Sequence, residues 1–196
     1  MSLFQPLPHY KMSSRDKTLD LSQPHVMGIL NVTPDSFSDG GRYHSAEQAI
    51  KHAIKLIDEG ADILDIGGES TRPGSVPVSI EEELDRVIPV LKAIAGSNIR
   101  ISIDTSKPEV MRHAIESGAT IINDINALQA PNALQTVARN NHVFVCLMHM
   151  QGSPINMQAN PKYIDIVTEV KEFLQERINI AKAAGISQER IIIDPG

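Results

Sequence analysis

Residues 59–68, EGADILDIGG, and residues 117–126, SGATIINDIN, follow one pattern. Each places a glycine (Gly60 or Gly118) and a small residue ahead of an apolar run that closes on polar groups. Glycine commonly ends a helix, because the residue past the last turn adopts a left-handed conformation. The run that follows lacks polar alternation, as expected of a parallel strand covered on both faces. Similar runs lie at 26–30, 63–66, 99–103, 120–122, 143–148 and 191–193.

Helical stripes fill the intervals. Ser45 and Gln48 make a capping-box pair ahead of Ala49, Ile50, Ala53, Ile54 and Ile57. Ser79 and Glu82 repeat it ahead of Leu84, Val87, Ile88 and Leu91, in a helix that Pro89 is expected to kink. Ser106 with Glu109, and Pro108 in the first turn, predict a third helix; two more are expected at 131–139 and 163–184. Alternating strands and helices mean parallel pairing through right-handed crossovers. An open doubly wound sheet and a barrel both satisfy that rhythm. No G-x-G-x-x-G follows the first strand, and polar residues end nearly every strand. Both points favour an α/β fold of the (β/α)8 TIM-barrel type. Six strands are countable, so the barrel is expected to be incomplete, about six βα units of eight. Residues 25–196 read as the barrel domain and residues 1–24 as an N-terminal surface extension with one short strand at 18–21.

The 18 Lys and Arg against 24 Asp and Glu give a net charge of −6, so nothing suggests a general nucleic-acid binder. Any anionic ligand must be held by local groups. Cys146 is the only cysteine and sits inside VFVCLM, so a core thiol is expected and a disulfide is not. No apolar stretch approaches the ~20 residues of a membrane span, and no signal-type block is present. A cytoplasmic setting with no membrane partner follows as the expectation.

If the strands are parallel, their C-terminal ends bring Asn31, Asp65, the 69–72 segment, Asp104, Asn123, His149 and Asp194 to one rim. Desolvating a carboxylate costs several kcal/mol, so Asp104, Asn123 and Asp194 need cations, donors or a ligand. A heterocycle with a guanidine-like edge supplies paired N–H donors; capping of neighbouring loops is the alternative that spacing leaves open. In NVTPDSFSDGG, residues 31–41, Asn31 offers a hard amide oxygen suited to Mg²⁺, while Asp35 and Asp39 could serve the metal, the substrate or the turn. Gly40 and Gly41 suit a loop that closes over the rim. In GGESTRPG, residues 67–74, Thr71 adds a hydroxyl, Arg72 a fork of donors for carboxylate or phosphate, and Pro73 a turn. Lys107 reads as a surface lysine with a hint of anion handling, His149 as a rim or core histidine, and Met148 as packing in the mouth.

MGILNVTPDSFSDGG and DIGGESTRPG, followed in order by SIDTSKPEV, IINDI, CLMHMQG and IIIDPG, resemble the dihydropteroate synthase family over residues 26–196. The resemblance implies a folate-pathway transferase, the sulfonamide target. It would join 6-hydroxymethyl-7,8-dihydropterin diphosphate to p-aminobenzoate and release pyrophosphate, with Mg²⁺ as cofactor and a homodimer as assembly. It implies that Asn31 contacts Mg²⁺ and the diphosphate, and that Asp104, Asn123 and Asp194 hold the pterin beside Met148. Thr71, Arg72 and Pro73 would lie on the loop closing over p-aminobenzoate, and Asn31, Arg72 and Asp104 would form the catalytic set. A Ser-Arg-Lys-Ser stretch and an Arg-x-His stretch, on the family's last two strands, do not occur at the corresponding place, so the chain is expected to be the first three quarters of such an enzyme. Two other readings compete: a non-catalytic pterin-binding remnant, and a methyltetrahydrofolate-dependent methyltransferase. The second should lack the TRPG and NVTPDSFSDGG motifs.

Overall fold

The structure, a computed structural model, describes residues 10–14, 17–33, 41–70, 77–152, 157 and 160–196. A hairpin comes first, β1 (Lys11–Ser14) paired antiparallel with β2 (Lys17–Asp20). The apolar runs then supply β3 (Met27–Asn31), β4 (Ile63–Gly67), β5 (Arg100–Asp104), β6 (Ile121–Asp124), β7 (Phe144–Met148) and β8 (Ile191–Asp194). Between them lie α1 (Gly41–Asp58), α2 (Ile80–Ile94), α3 (Pro108–Glu116), α4 (Ala133–Ala138) and α5 (Ile166–Ala183).

All six long-range strands are parallel, and each pairs with the next in sequence, in the order β3-β4-β5-β6-β7-β8. A doubly wound sheet reverses its strand order at a switch point. This one never does, so crossovers of one hand carry the helices to one face, where α1, α2, α3 and α4 touch in succession. That is the winding of a (β/α) barrel, as the sequence leads one to expect, here an arc of six strands with β3 and β8 at its edges.

Strand residues alternate between the two faces. Leu30, Leu64, Ile66, Ile101, Ile103, Ile122, Val145 and Leu147 are buried with Val87, Leu91, Met111 and Ala114 in the main core. The intervening residues face the barrel interior. At the N-terminal end of the strands Ile63, Ile121 and Phe144, joined by Ile192, are covered by Met12 and Leu19 of the hairpin. Ser14 Oγ also donates to the His142 carbonyl at 2.5 Å. The stretch read as a surface extension with one strand thus contains two strands, with one side chain of each sealing the barrel floor.

Two local expectations are corrected. The first helix begins at Gly41, ahead of the Ser45 capping box. The third is capped at Lys107, not Ser106, because Pro108 takes the first helical position. Pro89 lies inside α2 without breaking it, since burial of Val87, Val90, Leu91 and Ile94 outweighs one missing intrahelical bond. The Ser79 cap is as expected, accepting from Glu82 N at 3.1 Å.

Candidate functional site

Parallel register decides which polar groups meet. Asn31 pairs with Gly67, Gly67 with Asp104, and Asp104 with Asn123, so these four residues occupy one row across β3 to β6. Asn123 continues to Cys146, and Met148 pairs with Asp194 two residues further along β7 and β8. Asn31, Asp104, Asn123, Met148 and Asp194 therefore gather at the C-terminal ends of the strands. An ideal Cβ built on Gly67 would lie 3.5 Å from Asp104 Oδ2 and 3.6 Å from Asn31 Oδ1, so both oxygens flank the same point. Thr71, Arg72 and Pro73 lie outside the described residues, as do Asp35, Asp39 and Gly40.

The row is rich in acceptors and short of donors. Asp104 is half-buried, and its Oδ1 is shielded from solvent without a hydrogen-bond partner. Burial, and then the charges of Asp65, Glu83, Asp124 and Glu69, push its pKa to about 7. Asp65, named at sequence level only as a strand-end acid, is buried one pleat below and accepts from Asn123 Nδ2 at 3.2 Å. Its Oδ1 is likewise unpartnered. Desolvation raises the Asp65 pKa, partly offset by Ser102 and Asn123, although the buried Ser102 hydroxyl falls outside hydrogen-bond geometry. Buried polar atoms normally have partners, so unpartnered acceptors converging on one mouth mark a place for donors.

Asp124, the next residue along from Asn123, shows the loop-capping alternative realised on the opposite face. Its carboxylate accepts from Asn126 N at 2.9 Å and Leu128 N at 2.8 Å, and Arg177 holds the Ala127 carbonyl at 2.8 Å. Burial nonetheless lifts the Asp124 pKa to about 6.

Lys107 is not a surface lysine. It is half-buried and pairs with Glu69, just past β4, and at 2.5 Å with Glu83 of α2, which is only 1 % exposed. Burial alone would lower its pKa, but the two carboxylates outweigh that and hold it above the ordinary value. Glycine is required at position 68, where a Cβ would come within 2.8 Å of Val87 Cγ1 and 2.9 Å of Glu83 Cγ. Arg86 fixes the Gly68 carbonyl at 2.6 Å. The end of β4 is thus clamped from below by α2 and from the side by Lys107.

His149 is a core residue. Its ring meets Phe173 edge-on at a centroid distance of 5.2 Å, and its backbone N–H donates to the Asp194 carbonyl at 2.8 Å. Burial raises the Cys146 thiol to about 12, which suits packing and not nucleophilic attack. Among the described residues, no group of three or more His, Cys, Asp or Glu is arranged to hold a metal ion, and no helix is long and apolar enough to cross a membrane. Two hollows of about 580 and 570 Å³ run along β8 and α5, away from the polar row. The second is walled by Ile166, Val167, Leu174 and Ile193, the apolar flank of an edge strand. The converging acceptors, and not these hollows, define the candidate site.

A family model described as a pterin binding enzyme matches residues 27–196. The curated dihydropteroate synthase of Escherichia coli (strain K12) is 55 % identical over 187 residues, covering 95 % of this chain and 66 % of the relative. The chain therefore spans about two thirds of the length of that relative. A Yersinia pestis dihydropteroate synthase solved with a sulfonamide drug complex superposes with a TM-score of 0.88 at 51 % identity, over 95 % of this chain and 68 % of that one. The Xanthomonas albilineans dihydropteroate synthase was solved with 4-aminobenzoic acid (TM-score 0.87, 51 % identity, 96 % of this chain and 67 % of that one). It was also solved with indole-2-carboxylic acid and 6-chloroguanine (TM-score 0.85, 50 % identity, 95 % and 66 %).

Proposed function

Because the chain belongs to the pterin-binding enzyme family, we propose that it carries the pterin-holding side of a dihydropteroate synthase. The reaction condenses 6-hydroxymethyl-7,8-dihydropterin diphosphate with p-aminobenzoate to give 7,8-dihydropteroate and pyrophosphate. One observation carries this reading: the register sets Asp104, Asn123 and Asp194 at the C-terminal ends of their strands, and the buried Asp104 Oδ1 lacks a donor. A pterin presents ring and exocyclic N–H groups along one edge, the complement that a carboxylate binds in parallel pairs.

The residues then divide the work. Asp104, Asn123 and Asp194 fix the ring edge, and Met148 packs on the ring. Fixing the ring aims its methylene carbon at the incoming amine, the proximity contribution to rate. The C–O bond to the diphosphate breaks with its electron pair leaving on pyrophosphate. The amine lone pair forms the C–N bond, and the amine then loses a proton. Spreading positive charge from the methylene into the pterin makes a dissociative step reasonable, and no enzyme nucleophile is required. Arg72, with Thr71 and Pro73 on the same loop, is the proposed closing element over p-aminobenzoate.

The donor set fits Mg²⁺ of the kind that draws most ligands from phosphate and water. Asn31 Oδ1 is a hard oxygen on an exposed residue at the mouth. Asn31 would hold the ion, which when bound neutralises the charge growing on the leaving diphosphate. A cytoplasmic location accords with the single thiol, and a homodimer rests on the family resemblance.

Titration calorimetry with 6-chloroguanine tests the pterin reading, because it asks for recognition of a 2-amino heterocycle independently of turnover. Binding that Asp104→Asn weakens is expected; absence of any heat from the folded chain would overturn the reading.

A further inference from the structure

Asn123 is an ambiguous ligand by itself, because its amide can present either an oxygen or an NH₂ group to the mouth. Asp65 removes the ambiguity. It is 6 % exposed and accepts from Asn123 Nδ2 at 3.2 Å. In the register it pairs with Ser102, and Ser102 with Ile121, which places Asp65 one pleat nearer the N-terminal end than Asn123. An ionised carboxylate only accepts hydrogen bonds, so the NH₂ group is drawn toward the barrel floor and the amide oxygen is left on the side of the mouth. We propose that Asp65 is a positioning residue that fixes the orientation of the Asn123 amide and so makes the site select rings presenting hydrogen-bond donors. This inference rests on the pterin reading above and adds to it the origin of the donor preference.

The arrangement explains why an acid is tolerated in the middle of ILDIG, where burial raises its pKa and one oxygen goes without a partner. A leucine at position 65 would pack without that cost, but would leave the Asn123 amide free to turn over.

The test compares two probes, 6-chloroguanine and 6-chloropurine, which differ by the 2-amino donor. The folded wild-type chain is expected to prefer 6-chloroguanine by about tenfold or more. In Asp65→Asn the new amide can donate to the Asn123 oxygen as readily as accept from its NH₂ group. The preference is therefore expected to fall by about fivefold. A second variant combines Asp65→Asn with Asn123→Asp, which restores one donor below one acceptor with oxygen toward the mouth. It is expected to regain the wild-type preference, and it serves if the single variant fails to fold by thermal melting. An unchanged preference in folded Asp65→Asn, or no recovery in the folded exchange variant, would overturn the positioning role and leave the pterin reading standing. A wild type that binds neither probe would overturn both.

Discussion

The two ends of the barrel interior are made by the same strands and differ in every other respect. At the floor, Ile63, Ile121 and Phe144 are sealed beneath Met12 and Leu19. Two residues further along each strand stand Asp65, Asn123 and Cys146, among acceptors that lack donors. The floor releases free energy by taking apolar surface out of water. The mouth holds acids above their ordinary pKa and is destabilising until a ligand supplies what it lacks. A single pleat separates the part that holds the protein together from the part proposed to hold the ligand.

The sharpest way to test that contrast is to empty the floor. Phe144→Ala is expected to cost about 4 kcal/mol in denaturant unfolding, while 6-chloroguanine affinity, measured where the variant remains folded, stays within about twofold of wild type. A comparable loss of affinity would mean that the floor and the mouth are not separable. Lys107→Met probes the exception, a mouth-side residue with a structural duty. It strands the buried Glu83 carboxylate, for an expected loss of about 3 kcal/mol. Lys107→Arg, which keeps the charge, should recover part of that loss, and equal melting temperatures for the two variants would refute the ion-pair account.

Asp104→Asn should act in opposite directions on binding and stability. Pterin-analogue binding weakens by about 2 kcal/mol, since a charged acceptor is lost. The stability effect depends on pH. With a folded-state pKa of about 7 against an ordinary 3.8, the unfolded chain releases this proton first. The wild type therefore has this group's full contribution below about pH 4 and loses it as pH rises through 7. Asparagine does not titrate, so the variant should gain on the wild type between pH 4.5 and pH 8 in urea unfolding. A variant that fails to gain on the wild type over that range would contradict the burial of Asp104. The smallest effect is expected at Cys146, whose thiol is held at about 12. Iodoacetamide at pH 8 should label it slowly in the native protein and rapidly in urea, and Cys146→Ala should leave ligand affinity unchanged.

The sequence shows the strand–helix rhythm plainly, because unalternated apolar runs and glycine-ended helices are local signals. Asn31, Asp104 and Asn123 are legible for the same reason, each ending a recognisable run. Asp65 was visible as an acid but not as the partner of Asn123, which depends on parallel register between segments 58 residues apart. Lys107 looked superficial because its carboxylates lie 38 and 24 residues away, on elements whose packing no local pattern reveals. The hairpin was half-read because Met12 and Leu19 are single apolar residues in polar surroundings, buried by strands far along the chain.

That hairpin precedes β3 to β8 in the chain, yet the surface it docks on includes β7. Its Ser14 meets the His142 carbonyl across 128 positions, and its apolar side chains need β7 in place. At about 5–20 residues per second of synthesis, roughly ten seconds pass before that surface exists. Throughout that interval the Phe144 surface that covers Met12 and Leu19 in the native fold is not yet made, so the two halves of this small core are joined late.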